Sequence, residues 1–207
     1  FIAPPGSVLV SADYSQIELR VLAHISGDEN LIDAFRTGRD IHAQTASEVF
    51  GVPLEQVSNE QRSAAKAINF GIVYGISSFG LAKGINLTRA EAQAYIDRYF
   101  QRYPKVKQYM DEIVKRGAKL GYVTTILNRR RYLPDLRSRN YTLRSFAERM
   151  AMNSPIQGSA ADIIKLAMLR VDRALAQAGL GAKLLLQVHD ELVLEVPEDE
   201  LAATAEI

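Results

Sequence analysis

An α+β fold is predicted from three features of the sequence. Strand-like apolar runs lie at its two ends, in residues 7–13 and 184–196. The long stretch between them is dominated by apolar residues at helical spacing, and no repeat, low-complexity segment or linker interrupts it. Two β elements bracketing a helical middle describe an α+β body with a helical insertion.

The elements follow in order. "SVLVSAD", residues 7–13, reads as a short buried strand ending on Asp13. Ile17, Val21, Leu22 and Ile25 then recur at helical spacing until Gly27, and Leu31–Phe35 begins another helix. Residues 40–50, "DIHAQTASEVF", form a third, stopped by Gly51 and Pro53. Ser58 and Asn59 offer an N-cap for a helix through about Val73, before Gly75. Thr88 and Glu91 have capping-box spacing and open a helix towards Tyr103, where Pro104 breaks it. A further helix reaches Gly121, and "YVTTILNRRRYL" makes two short β segments around Asn128. Helices at about 143–152 and 159–178 precede a closing hairpin, Leu184–Val196, which turns through His189, Asp190 and Glu191.

Composition bounds the function. The 207 residues are 47% apolar and 24% charged, an ordinary globular balance with length for a real core. With no cysteine, neither a disulfide framework nor a thiolate metal site is possible. No apolar run approaches the roughly 20 residues of a membrane span, and the N-terminus lacks a signal-peptide layout, which together favour a soluble intracellular protein. Net charge is +1 but uneven: residues 115–149 carry ten Lys/Arg against Asp135 and Glu148, a local net of +8. Residues 190–207 carry seven acids and no Lys or Arg. The basic segment fits a polyanion partner or a solvated helical face, and charge alone leaves both open.

Two groupings carry chemistry. Asp13 ends the first strand and Asp190 tips the hairpin, 177 residues later; if those strands pair, two carboxylates lie side by side. Such a pair shares a proton or holds a divalent cation, and a chain with no Cys and three His suits a hard cation such as Mg²⁺ better than zinc. Solvated turn acids are the alternative. In "RSAAKAINFGIVYG", Arg62, Lys66, Phe70 and Tyr74 are spaced by four, so each drifts only about 40° from the last around a helix. Two cations followed by two aromatics suit a triphosphate at one end and a base at the other; helix packing explains the aromatics but not the cations.

Four segments, "DYSQIELRVLAHISGDENLIDAF", "RSAAKAINFGIVYGIS", "ERMAMNSPIQGSAADIIKLAM" and "QVHDELVLEVP", closely resemble, in order, the signature segments of family A DNA polymerases of the bacterial DNA polymerase I type. The likeness covers nearly the whole chain. It implies a right-hand polymerase fold, with an antiparallel palm sheet carrying the acids and a mostly helical fingers lobe carrying the stripe. The expected division is palm over residues 1–37, fingers over 38–140, and palm again over 141–207. Thumb, exonuclease domains and the C-terminal end are absent from the likeness, so an incomplete catalytic fragment is expected.

The resemblance also implies roles. Asp13 and Asp190 match the two metal-binding aspartates, with the backbone carbonyl of Tyr14 as a further ligand and Glu191 in support, for two Mg²⁺ ions. Arg62 and Lys66 match the triphosphate clamp, helped by His42; Lys66 is also a candidate proton donor. Phe70 matches the residue stacked on the incoming base, with Tyr74 at the end of that pocket. Gln16 falls among the nucleotide-binding positions, and Glu18 matches the steric gate against a ribose 2′-hydroxyl. Arg149, Asn153, Gln157 and His189 match residues facing the primer–template. The implied function is DNA-directed DNA polymerase in replication and repair, acting on primer–template DNA and dNTPs, as a monomer without membrane attachment in the bacterial cytoplasm at the nucleoid. A single-subunit RNA polymerase is a rival that Glu18 opposes, and a non-catalytic DNA-binding module is another.

Overall fold

In a computed structural model the structure describes every residue but Asn86, together with the side chain of every described residue except Ile85. The elements are β1 (Ser7–Asp13), α1 (Ile17–Ser26), α2 (Glu29–Arg36), α3 (Ile41–Phe50), α4 (Asn59–Val73), α5 (Ser78–Ile85), α6 (Arg89–Arg102), α7 (Pro104–Leu120), β2 (Tyr122–Thr124), β3 (Arg130–Tyr132), α8 (Tyr141–Ala178), β4 (Lys183–Val188), β5 (Glu191–Pro197) and α9 (Leu201–Ala205). They form an α+β chain of two compact units, one of Phe1–Ile17 with Ser159–Ile207, the other of Glu18–Gly158.

The first unit is built on an antiparallel sheet in the order β1-β5-β4. β5 alternates strictly, burying Leu192, Leu194 and Val196. These pack with Ile164 and Leu175 of α8 and with Ala182, against the half-buried Val8, Val10 and Met168. The apolar run of β1 predicts a buried strand, and the structure corrects this: β1 is a sheet edge with one packed side, so Leu9 remains 38% exposed. Val8 and Val10 alternate onto the packed side, while Ser7, Leu9, Ser11 and Asp13 share the other.

The second unit is helical apart from the β2–β3 hairpin. Its helix starts are fixed locally. Ser58 and Gln61, and Thr88 and Glu91, form reciprocal capping boxes, while Pro104 opens α7 at the position where its missing N–H costs least. Asp28 is 1% exposed and caps two helices at once: Oδ1 accepts from Leu31 N at 3.2 Å and Oδ2 from Lys105 N at 3.1 Å. The hairpin sits on a small core of Ile113, Val123, Leu133, Leu136, Ala147 and Ala151.

Two further expectations need correction here. Residues 143–152 and 159–178 do not form separate helices; α8 is one helix of 38 residues through Pro155. Pro155 removes a single backbone bond, and burial of Ala151 and Ile156 on either side holds the axis through it. α5 has no counterpart among the predicted elements, because Gly80 and Gly84 interrupt the apolar periodicity of "SFGLAKGI".

Candidate active site

The acidic hairpin closes in two residues. Val188 pairs with Glu191, so only His189 and Asp190 make the turn. His189 adopts φ +51°, a left-handed conformation usually left to glycine or asparagine, and Gln187 Nε2 braces the turn by donating to the His189 carbonyl at 2.6 Å. The other approach to the site is also strained, since Gln16, between β1 and α1, has φ +59°. Such conformations persist where the surrounding structure over-determines them.

β1 and β5 pair so that Asp13 lies opposite Glu191, and Tyr14 N donates to the Asp190 carbonyl at 2.9 Å. The sheet thus brings Asp13, Tyr14 and Asp190 to one end of the first unit. Ser11 Oγ donates to Glu191 Oε2 at 2.9 Å, which holds that carboxylate beside the pair. Asp13 is exposed and Asp190 half-buried, and among the described residues neither has an ion-pair partner. No group of three or more His, Asp or Glu side chains among those residues is arranged to hold a metal ion. Two unpaired carboxylates beside a backbone carbonyl are nonetheless a hard oxygen donor set, the chemistry that suits Mg²⁺.

The second unit carries the stripe. Arg62, Lys66 and Phe70 occur in that order along α4, and Tyr74 is its C-cap residue. Arg62 and Lys66 are exposed, Phe70 is half-buried and Tyr74 is 40% exposed. Tyr74 Oη donates to Glu18 Oε2 at 3.0 Å. His42, in the first turn of α3, is 3% exposed and lies 5.9 Å from the Phe70 ring, tilted by 38°. Burial is the largest cause lowering its pKa from 6.5; Asp40 opposes this, while Arg62 and Lys66 reinforce it.

Sequence reasoning missed Asp40, Asn69 and Thr45. Asp40 caps α3, its Oδ1 accepting from His42 N at 2.9 Å and Ala43 N at 3.1 Å, while its Oδ2 accepts from Arg62 Nε at 2.7 Å. Burial alone would raise the Asp40 pKa, but the Arg62 bond and the two backbone donors outweigh it and hold the carboxyl below its usual value. The cap was readable as Asp before an apolar helix; its tie to Arg62, 22 residues away, was not. Asn69 left one signal, a polar residue inside the buried run of α4.

Arg149, Asn153 and Gln157 are spaced by four along α8. The turn between β2 and β3 reaches this helix at Gly158, where an added Cβ would stand 2.6 Å from Thr125 Cγ2. Gly75 approaches the same helix, 3.2 Å from Arg149 Cγ on the same test, and its φ of +65° independently favours glycine. The basic segment is partly absorbed by structure. Arg137 donates to the Ala118 and Lys119 carbonyls at 2.6 and 2.7 Å, and Arg144 donates to the Ser138 carbonyl at 3.0 Å.

One unit thus holds a sheet with two carboxylates at its end, and the other a helix with two cations followed by two aromatics. The family described as DNA polymerase family A matches residues 1–207, and the chain belongs to that family. It is 61% identical over 197 residues to DNA polymerase I of Geobacillus stearothermophilus, covering 95% of this chain and 22% of that protein. It is 58% identical over 207 residues to DNA polymerase I of Caldicellulosiruptor bescii, covering 100% and 24%. The chain therefore spans about a quarter of the length of these curated relatives. Among solved structures it is similar to the POL domain of Pol1 from M. smegmatis in complex with DNA primer-template and dNTP, with a TM-score of 0.95 and 48% identity, covering 100% of this chain and 36% of that one. No helix among the described residues is long and apolar enough to cross a membrane.

Proposed function

We propose that the chain is the fingers and central palm of a DNA-directed DNA polymerase. The observation that carries this reading is the β1–β5 register, which sets Asp13 opposite Glu191 and bonds Tyr14 to Asp190. The similar POL domain holds primer-template and dNTP, which supports DNA and dNTPs as this chain's partners. In the reaction a primer 3′-hydroxyl forms a bond to the dNTP α-phosphorus, the bond to the bridging oxygen breaks, and pyrophosphate leaves.

Asp13, Asp190 and the Tyr14 carbonyl would hold two Mg²⁺ ions, which supply activation of the attacking oxygen and charge neutralisation on the triphosphate. Glu191, anchored by Ser11, supports the pair. Arg62 and Lys66 bind the phosphates by charge-assisted hydrogen bonds, His42 adds a third donor, and Lys66 gives a proton to the leaving pyrophosphate. Phe70 stacks on the incoming base beside Tyr74, Glu18 excludes a 2′-hydroxyl, and Gln16 contacts the nucleotide. Arg149, Asn153, Gln157 and His189 face the duplex. The protein works as a monomer in replication and repair, in the bacterial cytoplasm at the nucleoid.

The test is primer extension by the intact protein beside a gel-shift titration. Asp13→Ala and Asp190→Ala should each lose extension to background while keeping duplex affinity. Near-normal extension by either variant sinks the assignment.

A further inference from the structure

Behind the α4 stripe lies a buried polar set that the proposed reaction does not use. His42, Thr45 and Asn69 are 3%, 1% and 0% exposed, so each must find its hydrogen bonds among the others or nearby backbone. Asn69 Nδ2 lies 3.0 Å from His42 Nδ1. Thr45 Oγ1 lies 3.2 Å from both Asn69 Oδ1 and Asn69 Nδ2, so the hydroxyl bonds to the amide group while the amide nitrogen faces the ring.

We infer that Asn69, steadied by Thr45, is a positioning residue that holds His42 as the Nε2–H tautomer, so that the ring presents an N–H donor to the nucleotide phosphates. This deepens the proposed function and rests on its phosphate-binding reading. An amide NH₂ only donates, so the ring nitrogen facing it carries no proton; a neutral imidazole has one proton, and it is then on Nε2. The opposite tautomer would set N–H against N–H at Nδ1 and offer a lone pair at Nε2, which repels a phosphate oxygen. The ring is kept neutral by burial and by Arg62 and Lys66, with the Asp40 carboxylate opposing. Asn69 touches no substrate in this scheme; it acts through His42, as groups behind a ligating histidine do.

The test uses the intact protein with ¹⁵N-histidine, His42 being assigned by the signal lost in His42→Gln. Without nucleotide at pH 7.5, Nδ1 should show the shift of an unprotonated ring nitrogen and Nε2 that of a protonated one. Asn69→Asp replaces the donor with an acceptor and should move a proton onto Nδ1. Its Kd for dNTP should rise about tenfold, with the incorporation rate at saturating dNTP changing less. Thr45→Ser keeps the hydroxyl and should keep both properties; Thr45→Val should lose part of each. A wild-type ring protonated on Nδ1, or an Asn69→Asp ring with Nδ1 still unprotonated, overturns the inference, as does weakened dNTP binding with an unchanged tautomer. If the tautomer responds as expected while Arg62→Ala and Lys66→Ala leave the dNTP Kd unchanged, the phosphate reading fails and the hold of Asn69 on His42 stands.

Discussion

Tyr74 and Glu18 are joined by a hydrogen bond from the phenol to the carboxylate, 3.0 Å long and spanning 56 residues of chain. The bond ties a carboxylate in the first turn of α1 to the C-cap residue of α4. A steric gate works only if its side chain stays in place, so the two residues should differ in how much selectivity they hold. Glu18→Ala removes the carboxylate and should admit ribonucleotides, with dNTP incorporation falling less than in Asp13→Ala. Tyr74→Phe keeps the carboxylate but removes this one tie. At 3.0 Å the bond is longer than a strong O–H···O⁻ contact, so its loss should cost about 1 kcal/mol, roughly fivefold in rNTP rejection. Competitive incorporation of rNTP and dNTP measures both. Unchanged rejection in Glu18→Ala would place the gate elsewhere and reopen the RNA polymerase reading.

Arg62 cannot bind a triphosphate with the donor it gives to Asp40. That ion pair is partly exposed, with 45% and 41% of the two side chains open to solvent, so its net worth is about 0–1 kcal/mol. A charge-assisted bond to phosphate is worth about 1.5–3 kcal/mol, so the phosphate should win the competition at a small cost. Asp40→Asn keeps an N-cap for α3 but drops the pairing charge, and should tighten dNTP binding by up to about fivefold. Arg62→Ala should weaken it by about tenfold or more, and Lys66→Ala should mainly slow incorporation. Single-turnover kinetics across dNTP concentrations separates the effects. Unchanged kinetics in both Arg62→Ala and Lys66→Ala would mean that the stripe is packing.

The arginines of the basic segment can be tested separately for a hold on DNA. If Arg129, Arg130 and Arg131 meet the DNA backbone, replacing each by Gln should weaken binding alike for all sequences. The slope of log affinity against log salt should shrink by about 0.9 for each phosphate that is no longer neutralised. Arg137, already bonded to the last carbonyls of α7, should change stability and leave the slope alone. An unchanged slope in the triple variant assigns those arginines to internal ion pairs or to solubility.

Local chemistry was readable where one residue type has one physical use. Ser58, and Thr88 with Glu91, announced helix starts that the structure keeps, Pro104 announced the end of α6, and the apolar runs at the two ends announced strands that do pair. That pairing sets Asp13 opposite Glu191 and bonds Tyr14 N to the Asp190 carbonyl. What stayed hidden depends on distant partners. Nothing periodic marks Asn69 as the neighbour of His42, or Thr125 as the reason residue 158 is glycine. Pro155 misled for a related cause: its local penalty was visible, but the burial that offsets it is tertiary. The strained turn at His189 was suspect on composition alone, since three titratable residues are a poor choice for a tight hairpin.

His42 should make the α3–α4 pair sensitive to mild acid. In the unfolded chain a histidine titrates near 6.5, while burial, reinforced by Arg62 and Lys66 and opposed by Asp40, sets this ring lower in the folded state. Between the two values the unfolded chain binds more protons, so stability rises with pH across that window. The contribution is complete above about 6.5 and is lost as pH falls towards the lower folded value. Protonation would also place an N–H at Nδ1 against the Asn69 amide, breaking the bond that orients the ring. Amide hydrogen exchange of peptides from α3 and α4 in the intact protein reads this directly, once corrected for the intrinsic pH dependence of exchange. Protection there should drop from pH 7 to pH 5.5 in wild type and stay nearly level in His42→Gln, while peptides from β5 should not distinguish the two proteins. Equal losses of protection in α3 and α4 of both would show that another group sets the acid response.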